Sequence, residues 1–339
     1  MLDTDQPGPH QPLISILIAA RNEEVTMLDC LQAIDQLKYL PGTVEVLIGN
    51  DQSTDQTGLI VSAFSQNHPD VRLLTITEPV AGLRGKANVL AQLAQQARGQ
   101  TLFFTDADTQ VPPDWLVEIG RSFTGNTGIV TGVTLPEGPS LFHKLQKIDW
   151  LYNLTLTHLV SSVGIPVTAM GNNMAVSRTA YEAVGGYESI PFSITEDYAL
   201  FRAIVKQGFG FRNLLDQRVL AHTKPVETSN AFLQQRKRWM RGATNLPLWM
   251  VIMLYIQYLA GPLLLALGWF APVLALALYL SKLLIQTLVL SIGLARLNQT
   301  KLGAYALLFE IYQLIIGPLA VLYYLFPTTI EWKGRKYVT

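Results

Sequence analysis

Thr101-Leu102-Phe103-Phe104-Thr105 is a short, mostly apolar run that ends abruptly in Asp106-Ala107-Asp108. A run of this length, stopped by turn chemistry, reads as a strand buried on both faces. Three similar runs lie upstream, at 13–20 (LISILIAA), 44–48 (VEVLI) and 71–76 (VRLLTI). Helical patterns fill the gaps. One follows Arg21-Asn22-Glu23-Glu24 and continues to about residue 37, one covers 57–64 behind the cap chemistry of Ser53-Thr54-Asp55, and one covers 88–97. Strands alternating with helices predict βαβ units and a mostly parallel sheet with helices on both faces. In such sheets ligands bind outside the carboxyl ends of the strands. Asp51, Asp106 and Asp108 fall there.

An Asp-x-Asp is often no more than a turn, here one leading into Val111-Pro112-Pro113-Asp114. Its place at a strand end, on the same edge as Asp51, favours a site. Two close carboxylates without clustered histidine or cysteine suit a hard, oxygen-loving cation, Mg2+ or Mn2+, held together with substrate phosphates; zinc does not fit. Such a cation would hold a diphosphate and neutralise the charge that builds on it as it departs. The chain has no Gly-x-x-x-x-Gly-Lys-Ser/Thr loop, and no Gly-x-Gly-x-x-Gly follows the first strand, which excludes a P-loop and weighs against a dinucleotide site. The single cysteine, Cys30, excludes a disulfide framework. The 25 basic and 25 acidic residues cancel, so nothing pulls the chain as a whole towards nucleic acid.

Charged residues make up 15% of the 339, against roughly 25% in an ordinary globular chain. The deficit is C-terminal. Residues 246–294 carry Lys282 as their only charge, and 302–326 carry only Glu310. About 20 apolar residues make one crossing of a bilayer, so these runs predict a membrane domain of about three helices at 246–326. Gly268 and Pro272 mark a break, and Gly261-Pro262 and Gly317-Pro318 are points where a run could fold back. Lys282 and Glu310, each costly alone in hydrocarbon, are expected to face one another. Residues 1–12 are acidic and Pro-rich with no signal-peptide pattern, and read as a flexible segment. Arg236, Lys237, Arg238 and Arg241 precede the first run, which places residues 13–241 on the cytoplasmic side of a multi-pass cell-membrane protein. A basic tail occupies 327–339, and three full crossings would put it on the wrong side for that rule.

Six motifs follow in order: Asn50-Asp51-Gln52-Ser53-Thr54-Asp55-Gln56-Thr57, Gly85-Lys86-Ala87-Asn88, Asp106-Ala107-Asp108, Gly171-Asn172-Asn173, Thr195-Glu196-Asp197 and Gln235-Arg236-Lys237-Arg238-Trp239. In this order they resemble the family 2 glycosyltransferases of the GT-A fold, in the membrane-anchored branch that carries a Gln-x-x-Arg-Trp motif. The resemblance runs from about residue 13 to 241. It departs at Asn50-Asp51, where the family usually has two aspartates. It implies an α/β fold with a Rossmann-like mixed, mostly parallel sheet. It also implies an inverting transfer from a nucleotide-diphosphate sugar, a UDP-sugar by preference, to a hydroxyl of a lipid or lipid-linked acceptor. By the same resemblance Asp51 holds the base, Asp108 the metal on the diphosphate, and Asp106 the metal, ribose and sugar. Asp197 beside Glu196 takes the acceptor proton. Lys86, Gln235 and Arg238 meet the donor, and Gly171, Asn172 and Trp239 meet the acceptor.

Local chemistry offers competing readings. Thr195-Glu196-Asp197 is also good helix-capping sequence. Lys86 could be a solvated helix-start residue. Arg236 and Lys237 read best as contacts to lipid phosphates. Residues 142–163 suit either an amphipathic helix at the membrane surface or a helix packed on the sheet. The rival functions are a processive polysaccharide synthase of the same family and, from another class, a transport or scaffold protein with a nucleotide-binding domain.

Overall fold

The computed structural model describes residues 13–244, 246–326, 329–332 and 335–337. The expected flexible segment at 1–12 lies outside the described residues. By internal contacts the chain divides into two compact units, one running to residue 134 and resuming over 161–223, the other made of 135–160 and 224 onward. The division differs from the one expected at residue 241, because two long helices of the 13–241 region cluster with the apolar C-terminus.

The first unit opens with β1 (Ile14–Ala20), α1 (Met27–Asp35), β2 (Val44–Asn50), α2 (Thr57–Ser65), β3 (Val71–Thr75), α3 (Gly85–Gln96) and β4 (Thr101–Asp106). β5 (Thr109–Gln110), α4 (Trp115–Gly120) and β6 (Thr127–Thr131) follow. β7 (Val133–Pro136) leads into the second unit through α5 (Leu141–Ser162). The chain returns with β8 (Asn173–Ser177), α6 (Arg178–Ala183), α7 (Glu196–Lys206), β9 (Gly210–Asn213) and β10 (Leu220–Thr223). The main sheet has the order β3-β2-β1-β4-β8-β6-β9. It is parallel through its first four strands and antiparallel on both sides of β8, so it is mixed as expected. Ile16, Leu17 and Ile18 of β1 and Phe103 and Phe104 of β4 are fully buried, as central strands covered on both faces must be. The register places Ala20 opposite Asn50 and Ala19 opposite Asp106, which brings the ends of β1, β2 and β4 level.

The two loops at that edge are zipped together. The amide of Asn22 donates to Ser53 Oγ, and that of Thr54 to Asn22 Oδ1. The amide of Glu24 donates to Asp55 Oδ2, and that of Gln56 to Glu24 Oε2. The expected cap chemistry before α2 resides in Asp55, whose Oδ1 accepts from the Thr57 amide at 3.0 Å.

The second unit holds α5, α8 (Ser229–Ala243), α9 (Leu248–Tyr258), α10 (Ala260–Phe270), α11 (Pro272–Arg296) and α12 (Ala306–Leu325), then a hairpin of β11 (Ile330–Trp332) and β12 (Arg335–Tyr337). The hairpin takes up part of the expected basic tail; Lys333 and Gly334 lie outside the described residues. Two segments, Pro272–Arg296 and Thr300–Leu325, are long and apolar enough to cross a membrane. α9 and α10 pass the same test only as a pair bent by 72°, a broken span or a re-entrant loop. Of the two expected fold-back points, Gly261-Pro262 lies beside this bend, whereas α12 continues through Gly317-Pro318. Gly317 has a different use. A Cβ there would come within 3.2 Å of the carbonyl carbon of Tyr258, so its bareness lets α12 lie against the end of α9. Lys282 and Glu310 form the expected ion pair, with the Glu310 side chain 6% exposed.

Most of α5 belongs to the second unit. Its Leu151 and Tyr152 pack on Gly293 of α11 and Phe309 of α12, and Asp149 pairs with Arg236 of α8. The lipid-phosphate reading of Arg236 and Lys237 is corrected accordingly. Arg236 is 3% exposed, stacked against the rings of Phe232 and Trp239 at 4.7 and 4.6 Å. Lys237 is equally buried and its Nζ donates to the carbonyl of Phe326 at 2.6 Å.

Candidate active site

Four carboxylates and one ammonium gather in the first unit at the carboxyl end of the sheet. Asp106 closes β4, and Asp108 follows after one residue. Lys86 stands in the first turn of α3, Glu196 and Asp197 in the first turn of α7. Lys86 Nζ lies 2.5 Å from Asp106 Oδ1 and 3.1 Å from Glu196 Oε1. Burial opposes the charge on Lys86, but Asp106, Glu196 and Asp197 outweigh it and hold the ammonium well above its ordinary range. The solvated reading of Lys86 therefore fails; its side chain is 13% exposed.

Asp197 is fixed by backbone. Its Oδ2 accepts from the Gly171 amide at 2.8 Å and its Oδ1 from the Tyr198 amide at 2.8 Å. Burial, then the neighbouring charge of Glu196, pushes its carboxyl up to about 6. A carboxylate tuned towards neutrality and aimed by two amides has the properties of a general base. The capping alternative is only half right. Thr195 occupies the cap position but its side chain bonds no helix amide, and Ser193 Oγ lies 3.2 Å from its hydroxyl instead.

Asp108 is also pushed up to about 6, by burial first and then by Asp106. Thr109 Oγ1 donates to it at 3.3 Å, and the Thr223 hydroxyl supports it as well. Two crowded carboxylates of this kind fit a divalent cation, which relieves their repulsion. Among the described residues no group of three His, Cys, Asp or Glu side chains converges to hold a metal. The remaining ligands would have to come from substrate, as is common for Mg2+ beside phosphates. Asp51, directly after β2, is 6% exposed and tied in by its backbone: its amide donates to the Ala20 carbonyl at 2.9 Å, and its carbonyl accepts from Arg21 Nη1 at 2.7 Å.

Gly171 and Asn172 are the residues the motif gives to the acceptor. Gly171 also makes room for Asp197, since a Cβ on it would lie 2.8 Å from Asp197 Cβ. Asn172 accepts from Thr105 Oγ1 through its backbone carbonyl at 3.0 Å, and its buried Oδ1 has no hydrogen-bond partner among the described residues. Gln235, Arg238 and Trp239 lie on α8 in the second unit. There one face of the Trp239 indole is taken by Arg236, and Trp150 packs edge-on at 5.1 Å. Three residues escaped the sequence reading. Arg21 braces Asp51. Asn173 ties Trp115 Nε1 to the carbonyls of Val133 and Val219. Tyr187, 2% exposed, has a hydroxyl with no hydrogen-bond partner among the described residues, near the charges of Glu196 and Asp197. Only Asn173 had a signal, its place in the Gly-Asn-Asn motif.

A mixed, mostly parallel sheet with acidic residues at its carboxyl edge is the arrangement of the GT-A fold. The family model of glycosyl transferase family 21 matches residues 2–339, and the chain belongs to that family, which lies in the clan of family 2. A probable glycosyltransferase, YdaM, of Bacillus subtilis is 27% identical over 240 residues, covering 68% of this chain and 55% of that protein. The beta-monoglucosyldiacylglycerol synthase of a Nostoc species is 26% identical over 235 residues, covering 68% and 49%. The chain thus spans about half the length of the curated relatives it matches. A mannosyltransferase from Pyrobaculum calidifontis, solved with GDP-mannose and Mn2+, superposes with a TM-score of 0.56 at 20% identity, over 93% of this chain and 88% of that one. This likeness establishes the shared fold.

Proposed function

We propose that the protein is a membrane-anchored inverting glycosyltransferase that moves a sugar from a nucleotide-diphosphate sugar, a UDP-sugar by preference, to a hydroxyl of a lipid or lipid-linked acceptor. The observation that carries this reading is Asp197, oriented by the Gly171 amide and set beside the Lys86–Asp106 and Lys86–Glu196 contacts. On this reading Asp197 serves the acceptor and its neighbours serve the departing diphosphate. Asp197 takes the acceptor proton while the hydroxyl oxygen attacks the anomeric carbon. The bond from that carbon to the diphosphate breaks in the same step, so the configuration inverts and no enzyme nucleophile is needed. Asp106 and Asp108 are the residues that would hold Mg2+ or Mn2+, which when bound neutralises charge on the leaving diphosphate. Asp51, at the end of β2, is the residue for the nucleotide base. The buried, unpartnered Oδ1 of Asn172 is an acceptor for a sugar hydroxyl. The roles of Gln235 and Arg238 at the donor and of Trp239 at the acceptor rest on the motif they form. The name of the Nostoc relative and the apolar helices of this chain support a lipid acceptor, and the basic residues before α9 support a cytoplasmic active site in a multi-pass protein.

Turnover with a panel of nucleotide sugars and membrane lipid extract, with the product identified by mass, tests the proposal. Free nucleoside diphosphate and a glycosylated lipid are expected, and release of pyrophosphate would refute transfer. Asp197→Asn should abolish product while nucleotide binding persists. Asp108→Ala should abolish metal-dependent nucleotide binding.

A further inference from the structure

Lys86 is badly placed for an ordinary surface lysine. It occupies the first turn of a 12-residue helix, where the backbone dipole disfavours a cation. Its ammonium is withdrawn from solvent between Asp106 and Glu196, which belong to elements far apart in sequence. The carboxylate it touches at 2.5 Å is one of the two that suit a divalent cation. Asp106 Oδ1 cannot keep the ammonium at that distance and take a dication as well without strong repulsion between the two cations, since little water lies between them.

We propose that Lys86 is a resident counter-cation of the metal-binding carboxylate, and that a divalent metal reaches this oxygen of Asp106 only by displacing it. The inference rests on the reading of Asp106 and Asp108 as a metal site. Lys86 neutralises one member of a crowded acidic cluster, and it stays paired with Glu196 when Asp106 is taken. Bare metal then binds poorly because it must evict a neighbour. Metal arriving with a diphosphate binds well, because phosphate oxygens add ligands and give the ammonium a new partner. Lys86 therefore sets the selectivity of the site for the metal–nucleotide complex over free metal.

The experiment measures Mn2+ binding to the detergent-solubilised full chain, from the electron paramagnetic resonance signal of free Mn2+, without nucleotide. Lys86→Met should tighten Mn2+ binding by about tenfold or more, since it removes a unit charge about one ion-pair distance from the metal. Lys86→Arg should stay near wild type. The charge-balanced pair Lys86→Met with Glu196→Gln should keep the gain, and it carries the comparison if Lys86→Met alone does not fold. Adding Asp106→Asn to Lys86→Met should abolish the gain. Unchanged affinity in Lys86→Met, or a gain lost in the charge-balanced pair, would overturn displacement while leaving the metal site intact. If no variant, nor the wild type, binds Mn2+ even with UDP present, the metal reading itself falls and takes this inference with it.

Discussion

Gly171→Ala isolates the orientation of Asp197 from its chemistry. Gly171 does not have a positive φ, so alanine meets no backbone penalty and the effect is one of space. The added Cβ would lie 2.8 Å from Asp197 Cβ, 3.0 Å from its Oδ2 and 3.2 Å from its Cγ. Carbon atoms rest at about 3.5–4.0 Å, so the carboxylate must retreat by about 1 Å. Retreat stretches the 2.8 Å bond from the Gly171 amide, one of the two that aim the base. Overpacking of this kind costs about 1–3 kcal/mol of stability. A displacement of about 1 Å at a reacting group costs about a hundredfold in rate. The variant should therefore lose about two orders of magnitude in kcat while its affinity for nucleoside diphosphate, measured by calorimetry, stays near wild type. Steady-state turnover alongside a thermal melt makes the comparison. A kcat close to wild type in a folded variant would mean that the base is not Asp197, and a parallel loss of nucleotide affinity would mean that Gly171 serves the donor.

Asp197 must be ionised to accept a proton, so turnover should fall as pH drops through about 6. Stability runs the other way. A carboxyl raised in the folded state contributes stability fully below its unfolded value of 3.8 and loses it as pH rises through about 6. Asp197→Asn should accordingly melt higher than wild type near neutral pH and lose that advantage on acidification; a constant difference across this range would contradict the raised carboxyl. Asp149→Ala strands the buried Arg236 and should cost about 3–5 kcal/mol, read as a large drop in melting temperature in detergent. An unchanged melt would show that Arg236 finds water. Lys282→Glu and Glu310→Lys should each destabilise, and the exchanged pair should recover much of the loss; additive losses would mean that the ion pair contributes nothing.

What the sequence revealed was local or periodic. The four upstream strands were legible because central parallel strands must be apolar on both faces, and the acidic edge because Asp51 directly follows one such strand and Asp106 and Asp108 stand at the end of another. Lys282 and Glu310 could be paired because hydrocarbon leaves a lone charge few choices. Asp149 and Arg236, 87 residues apart, gave no such hint. Basic residues beside an apolar run look the same whether they meet lipid or a buried carboxylate, so Arg236 and Lys237 were misread. Residues 142–163 show a helix, but periodicity does not name the surface that covers it. Gly171 was noticed for its motif, while its task depends on how close another chain segment comes, and one-letter spacing does not encode that.

The three bonds of Asn173 also limit what evolution can try at that position. Its Oδ1 takes the indole proton of Trp115 and its Nδ2 feeds the carbonyls of Val133 and Val219, all at 2.8 to 2.9 Å with no water involved. Any replacement must present one acceptor and two donors from the same short stem. Aspartate has no donors, serine and threonine have one and are too short, and glutamine carries the same amide one carbon too far into a fully buried space. Gly132 closes the other exit, because a side chain there would strike the Asn173 amide. The pair can therefore drift only together, through intermediates that leave buried polar groups unmatched. The floor beneath Asn172 and the Gly171–Asp197 contact is expected to stay fixed in lineages whose donor and acceptor specificities diverge.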